Sequence, residues 1–306
     1  MLFYIGTIRN FRYKTAVMEK FLINRQFHIG TVCKCPTNKR RLYPLLFLLI
    51  FQAHFSPAQN ITTIAGHSSF TGDTAPVLAG YIHPISLATD PLGNIYIGDD
   101  NCKIKKVDFS IDLMSTIVGQ LGCGFSGDGG RVELASIKYP TSLALDLLGN
   151  IYFSDEGNSR IRMISTAGII NTIGGNGTTT YSGDGGPATN AGFWPRCVAL
   201  DKHGNIFIAD FGNNRIRKIS AGVITTIAGG AIAGYSGDGG PSSSAKLDHP
   251  NVISVDKIGN IIFFDQGNKK LRKIDTSGII TLMNDSVTAD AMAMDSAGNF
   301  FLHLVI

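Results

Sequence analysis

The sequence predicts an all-β fold, a β-propeller of four-stranded antiparallel blades. Three observations predict it. The phrase D-x-x-G-N recurs at 90–94, 146–150, 201–205 and 256–260, in steps of 56, 55 and 55 residues, and once more at 295–299 after a step of 39. Each long step holds four short runs rich in Ile, Val, Leu, Phe and Tyr; in the third unit they are 197–200, 206–209, 215–219 and 223–228. Runs of that length between Gly, Asn and Asp clusters read as strands, not amphipathic helices. The fourth run is followed by a longer connection carrying Ser-Gly-Asp-Gly-Gly, at 126–130, 182–186 and 236–240. A meander plus one crossover, repeated, is a blade and its link to the next; stacking blades radially covers edges that one sheet would expose.

The turns follow from residue type. D-x-x-G-N joins the first and second strands, because Gly accepts positive φ and the Asp side chain bonds its own turn. D-x-G-N, at 155–158 and 210–213, joins the second and third, and S-x-G or Ala221-Gly222 the third and fourth. Short linkers of this kind make antiparallel hairpins. Complete units begin at Ile85, Thr141, Arg196 and Asn251.

With those elements in place, the chain resembles NHL-repeat propellers in their bacterial form, whose units read ITTIAG, YSGDGGPAT, VALD, GNIYIAD and NRIRKI in that order. The resemblance covers about residues 60–300. It implies the fold; it does not imply an activity, since one fold hosts many. NHL domains usually have six blades. This chain has four complete units and a partial fifth, with strands expected at 291–294 and 300–306. Two readings stay open: five blades closed with help from the lone fourth-strand segment 61–66, or a truncated copy of a six-bladed propeller.

Residues 1–59 stand outside the repeat. Lys39, Arg40 and Arg41 precede an apolar run at about 42–55, then Ser56-Pro57-Ala58, the pattern of a signal peptide. A run of about 14 residues is short of the roughly 20 that span a bilayer. The expectation is a leader 1–59, a propeller domain 60–306, export to the periplasm, cell surface or medium, and no stable membrane insertion after cleavage; an uncleaved anchor is the other reading. The leader carries nine of the 27 Lys and Arg and one of the 23 Asp and Glu. What remains has 18 basic and 22 acidic residues, a net of −4, which lacks the basic footprint of a nucleic-acid binder.

Cys102 and Cys123 are placed to pair in an oxidising compartment, while Cys197, in a first strand, reads as a buried free thiol. No cysteines have zinc spacing. The SGDGG loops are neither a P-loop nor a calcium loop. They read as compact turns in which Asp128, Asp184 and Asp238 accept backbone hydrogen bonds. The two Asp series after the first and second strands read as turn residues, because they recur in every unit. The basic third strands, 103–106, 160–162, 215–218 and 269–273, read as solvated outer edges.

The positions that vary are those before the proline at each first strand: His83, Tyr139, Trp194 and His249, with Arg196 adding a charge. Each lies where a crossover enters the innermost strand, so together they form a candidate ligand site at one mouth of the axial channel. Aromatics with one Arg suit peptide or glycan recognition. The other reading is that they pack against the crossover loops. The expected function is a non-catalytic binding or scaffold propeller for a protein, peptide or glycan, with no cofactor, no metal and no catalytic residue. The alternative is a metal-dependent propeller enzyme of the amidating-lyase or lactonase-like type, with His83 and His249 as candidate ligands.

Overall fold

In the computed structural model, the described residues are 6–7, 74–76, 82–286, 289–294 and 300–304. Four blades succeed one another along the chain. The first is β3 (Pro84–Thr89), β4 (Ile95–Asp99), β5 (Lys103–Asp108) and β6 (Leu113–Val118). The second is β7 (Pro140–Leu145), β8 (Ile151–Asp155), β9 (Arg160–Ile164) and β10 (Ile170–Gly174). The third is β11 (Pro195–Leu200), β12 (Ile206–Asp210), β13 (Arg215–Ser220) and β14 (Val223–Gly229). The fourth is β15 (Pro250–Val255), β16 (Ile261–Asp265), β17 (Lys270–Ile274) and β18 (Ile280–Asn284). Within each, every strand pairs antiparallel with the next. A fifth blade is begun by β19 (Ala289–Met294) and β20 (Phe300–Leu304), with β1 (Gly6–Thr7) paired to β20. The expected segment 61–66, the apolar run 42–55 and the turn at 295–299 lie outside the described residues.

The first strands of successive blades lie side by side, from β3 through β7, β11 and β15 to β19, which makes them innermost. Neighbouring blades pack face to face. Phe207, Ala209 and Ile216 of the third blade share one core with Ile253, Phe263 and Ile274 of the fourth, and Ile161 of the second joins Ile206, Ile208 and Ile219 of the third. Both faces of the third blade are therefore buried, and apolar side chains on both contribute through area removed from water.

The first hairpins behave as their sequence requires. Asp90, Asp146, Asp201 and Asp256 each accept the backbone N–H groups two and four residues on, and the amide of the turn Asn. The second hairpin is a single 3-10 turn in the second and third blades, Glu156–Asn158 and Phe211–Asn213, closed by a left-handed residue, Ser159 or Asn214. Cys102 is that residue in the first blade, and its thiol is joined to Cys123 by a disulfide. The pair ties the hairpin to the outgoing crossover. Segment β2 (Thr74–Pro76) runs beside β6 as a fifth strand.

Each first strand opens with a β-bulge: the register shifts between Pro84 and Ser86, Pro140 and Ser142, Pro195 and Cys197, and Pro250 and Ile253. The opened residues include Ile85, Thr141, Arg196 and Asn251. Pairing sets Pro84 opposite Asp99 and Pro195 opposite Asp210, so the X-Pro corner and the second hairpin share one end of every blade. That end is the mouth.

Candidate functional site

Two constellations meet at the mouth end, one repeated and one particular to the third blade. The repeated one corrects the sequence reading. Arg162, Arg217 and Arg272 are fully buried, not solvated edge charges. Arg217 donates from Nε and Nη2 to Asp184 Oδ1 (3.1 and 2.6 Å), from Nη1 to Gly192 O and from Nη2 to Ser182 O (both 2.9 Å). Arg162 makes the same set to Asp128, Ser136 O and Ser126 O, and Arg272 to Asp238, Lys246 O and Ser236 O. Lys105 holds the corresponding register of the first blade and is buried too. The SGDGG aspartates are thus clamps for a guanidinium; among the described residues only Asp184 also takes a backbone N–H, from Thr226 at 3.0 Å. The physical reason is that a blade packed between two others has no solvated face, so a strand Arg that points off the apolar side still meets protein. Above each clamp an aromatic ring stacks on the outer cation: Arg160 on Phe125, Arg215 on Tyr181 and Lys270 on Tyr235.

The aspartates ending the second strands complete the network and reach the mouth. Asp155 Oδ1 accepts Lys138 N–H (2.6 Å) and the Asn158 amide; Asp210 Oδ1 accepts Trp194 N–H (2.8 Å) and the Asn213 amide; Asp265 Oδ1 accepts Asp248 N–H (2.7 Å). Their other oxygens lie 3.6, 3.9 and 3.2 Å from Arg162, Arg217 and Arg272. Each guanidinium therefore faces two carboxylates. In the third blade they divide: burial pushes Asp210 up to about 6, whereas burial of Asp184 is outweighed by hydrogen bonds from Thr226, Arg217 and Tyr181 that hold it below the usual carboxylate range. Burial also raises Asp155 to about 6 and raises Asp265.

The same bonds show how the third blade differs. From the SGDGG aspartate to the corner proline there are 12 steps at Asp128–Pro140 and Asp238–Pro250, but 11 at Asp184–Pro195. The missing residue is the left-handed one. Tyr139 (φ 52°) and His249 (φ 50°) turn the corner with positive φ; Trp194 does not, and nor does His83, which stands before Pro84, itself 11 steps after Asp73. Trp194 instead takes the place of Lys138 and Asp248, with its N–H on the buried aspartate and its ring over the hairpin glycine Gly212, where a Cβ would collide with the indole. Alignment on the proline, as the sequence invites, is therefore off by one residue at Trp194.

Around Trp194 the rim side chains join across three blades. Trp194 Nε1 donates to Glu156 Oε1 (2.9 Å), and Arg196 Nη1 donates to both Glu156 oxygens (3.1 and 3.3 Å). Phe211 stands edge-on to Trp194 (6.0 Å) and to His249 (4.8 Å), with the Arg196 guanidinium 5.7 Å from its centre. The His249 Nδ1 bonds the Asp248 carboxylate, and His249 N–H donates to Asn214 Oδ1 (2.9 Å). Tyr139, exposed, contacts this group through its carbonyl, which accepts Glu156 N–H (3.2 Å). His83 lies by Asp100 of its own blade, Nδ1 3.8 Å from the carboxylate. Of the five sequence candidates the structure joins Trp194, Arg196 and His249 directly and Tyr139 by its backbone. Sequence reasoning missed Glu156, Phe211 and Asp248. The available signal was the residue after each second-strand aspartate, which changes from Asp100 to Glu156, Phe211 and Gln266. Among the described residues, no group of three His, Cys, Asp or Glu could hold a metal ion.

The family model for the NHL repeat matches residues 194–219, which run from Trp194 through β12 and β13. The third blade thus carries an NHL repeat. Teneurin-1 of Mus musculus is 24% identical to this chain over 302 residues, covering 87% of the chain and 11% of that protein. The chain thus spans about a tenth of the length of the curated relatives it matches. Among solved structures it is similar to a streptogramin B lyase (17% identity, TM-score 0.47, 72% of this chain and 62% of that one). A gluconolactonase from Xanthomonas campestris is similar at 13% identity and TM-score 0.48, over 72% and 71%.

Proposed function

We propose that this NHL propeller is an exported, non-catalytic binding module whose ligand, a peptide or glycan, sits on the rim formed by Glu156, Trp194, Arg196, Phe211 and His249. One observation carries the reading. Where the repeat is kept, its polar groups are buried in clamps that recur from blade to blade; where it is broken, at the shortened third crossover, the exposed Trp194, Arg196 and His249 meet the half-buried Glu156 and Phe211 across three blades. Trp194 and Arg196 are 39% and 44% exposed although each is held by Glu156. Side chains fixed yet open to solvent are preorganised for a ligand, so little ordering cost remains at binding. A β-bulge beneath Arg196 aims it off the strand, a device common beside functional sites.

Trp194 is the chain's one tryptophan, so its emission reports on this rim alone. A panel of defined oligosaccharides and peptides is titrated while that emission is followed. A saturable change with at least one ligand, weakened by Glu156→Gln, supports the reading. Ligands that bind by calorimetry without altering the emission place the binding surface elsewhere.

A further inference from the structure

We infer that the rim reads a carboxylate-bearing sugar, a uronate unit within a glycan, with Arg196 binding the carboxylate and Trp194 the sugar face. This rests on the rim-binding reading above. The carboxylates of the rim are already engaged: both Glu156 oxygens take Arg196, Oε1 takes Trp194 as well, and Asp248 takes His249. The indole N–H is engaged as well. What stays open among the described residues is the Nε–Nη2 edge of Arg196, two parallel N–H donors. That edge matches the two oxygens of a carboxylate in bidentate geometry. Glu156 beside it favours a single negative charge over the dianion of a phosphate monoester, because like charges a few ångströms apart repel.

Trp194 fixes the second half of the ligand. Its ring rests on Gly212, its N–H is pinned, and the residue is 39% exposed. A flat apolar surface of that kind takes the C–H face of a sugar ring. A peptide fits less well. The mouth is made of strand ends and hairpins, whereas a peptide backbone binds by adding to an open strand edge. Anchor side chains want a pocket in which to be desolvated, and Trp194, Arg196 and His249 are exposed.

Calorimetry and Trp194 emission are measured with trigalacturonate, a glucuronate-containing trisaccharide, methyl-esterified trigalacturonate, and one short peptide as free acid and as amide. Wild type is compared with Arg196→Gln and with Lys202→Ala, a control in the turn at the far end of β11, each checked for an unchanged melting temperature. The expected result is that a uronate binds at least tenfold more tightly than the ester, that Arg196→Gln weakens the acid at least tenfold and abolishes the preference, and that Lys202→Ala changes neither. Equal binding of acid and ester, or a preference that survives Arg196→Gln, overturns the carboxylate assignment and leaves the rim as a site. Binding of the peptide but neither uronate overturns the sugar assignment alone. A Trp194 signal unmoved by every probe overturns both.

Discussion

The buried guanidiniums are the side chains on which the blades depend most. Arg217 satisfies two carbonyls and a carboxylate while standing next to a second, so its loss leaves all of them desolvated without a partner. Arg217→Ala is expected to cost about 3–5 kcal/mol, read as a fall in the urea midpoint at unchanged slope. A change below about 1 kcal/mol would show that solvent reaches the clamp. The aspartates set a pH dependence whose sign differs from that of an ordinary ion pair. Asp155 and Asp210 keep their protons up to about pH 6 in the folded chain, whereas an unfolded Asp releases them near 3.9. The stability they contribute is present below about pH 4 and is lost as the pH rises through about 6. The unfolding free energy of wild type minus that of Asp210→Asn should decline across that window and be flat above it; a difference that rises there contradicts the assignment. Cys197 is a milder case. In the first two blades a serine hydroxyl binds the next inner strand, Ser86 to Pro140 O (2.6 Å) and Ser142 to Val198 O (3.3 Å), whereas Cys197 reaches Ile253 O only at 3.8 Å. Cys197→Ser should raise stability by about 0.5–1 kcal/mol, measurable by thermal melting.

Among the elements, the hairpins are the most legible and the crossovers the least. The strands observed in the third blade extend those read from the sequence by one or two residues at an end, because Ile, Val and Phe runs between turn residues leave the backbone few alternatives. The D-x-x-G-N turns were legible for the same reason: every bond that Asp201 makes is within four residues. The clamps were not, since Arg217 and Asp184 are 33 residues apart and the strand pattern alone resembles one wet face. A guanidinium and a carboxylate recurring at separations of 33 or 34 was the signal to follow. The Cys102–Cys123 pairing was legible from position, and it closes a separation of 21 residues around the first blade. Removing it with Cys102→Ser and Cys123→Ser should cost roughly 3 kcal/mol from loop closure. Hydrogen exchange should show the loss concentrated in β4, β5 and the outgoing crossover; uniform loosening of all blades would mean that the bridge supports the whole array.

Across the whole molecule, repetition and function separate. Four blades repeat one set of first-hairpin turns and three of them one guanidinium clamp, which is why the propeller could be read from the sequence, and the same regularity says nothing about a ligand. The rim was only half legible. Its aromatic members stand out before each proline, but the seat of Trp194 is set by the distance from the preceding SGDGG loop, one residue shorter in the third blade, and its partners Glu156 and Phe211 come from hairpins of two different blades. The most direct measurement is therefore a titration of trigalacturonate, followed by Trp194 emission, on the native chain and on a variant with one Gly inserted between Phe193 and Trp194. The insertion restores the spacing of the crossovers into the second and fourth blades. The native chain should bind saturably and the variant at least tenfold more weakly, with melting temperatures within a few degrees. Equal binding by the two would contradict the claim that the shortened crossover builds the site.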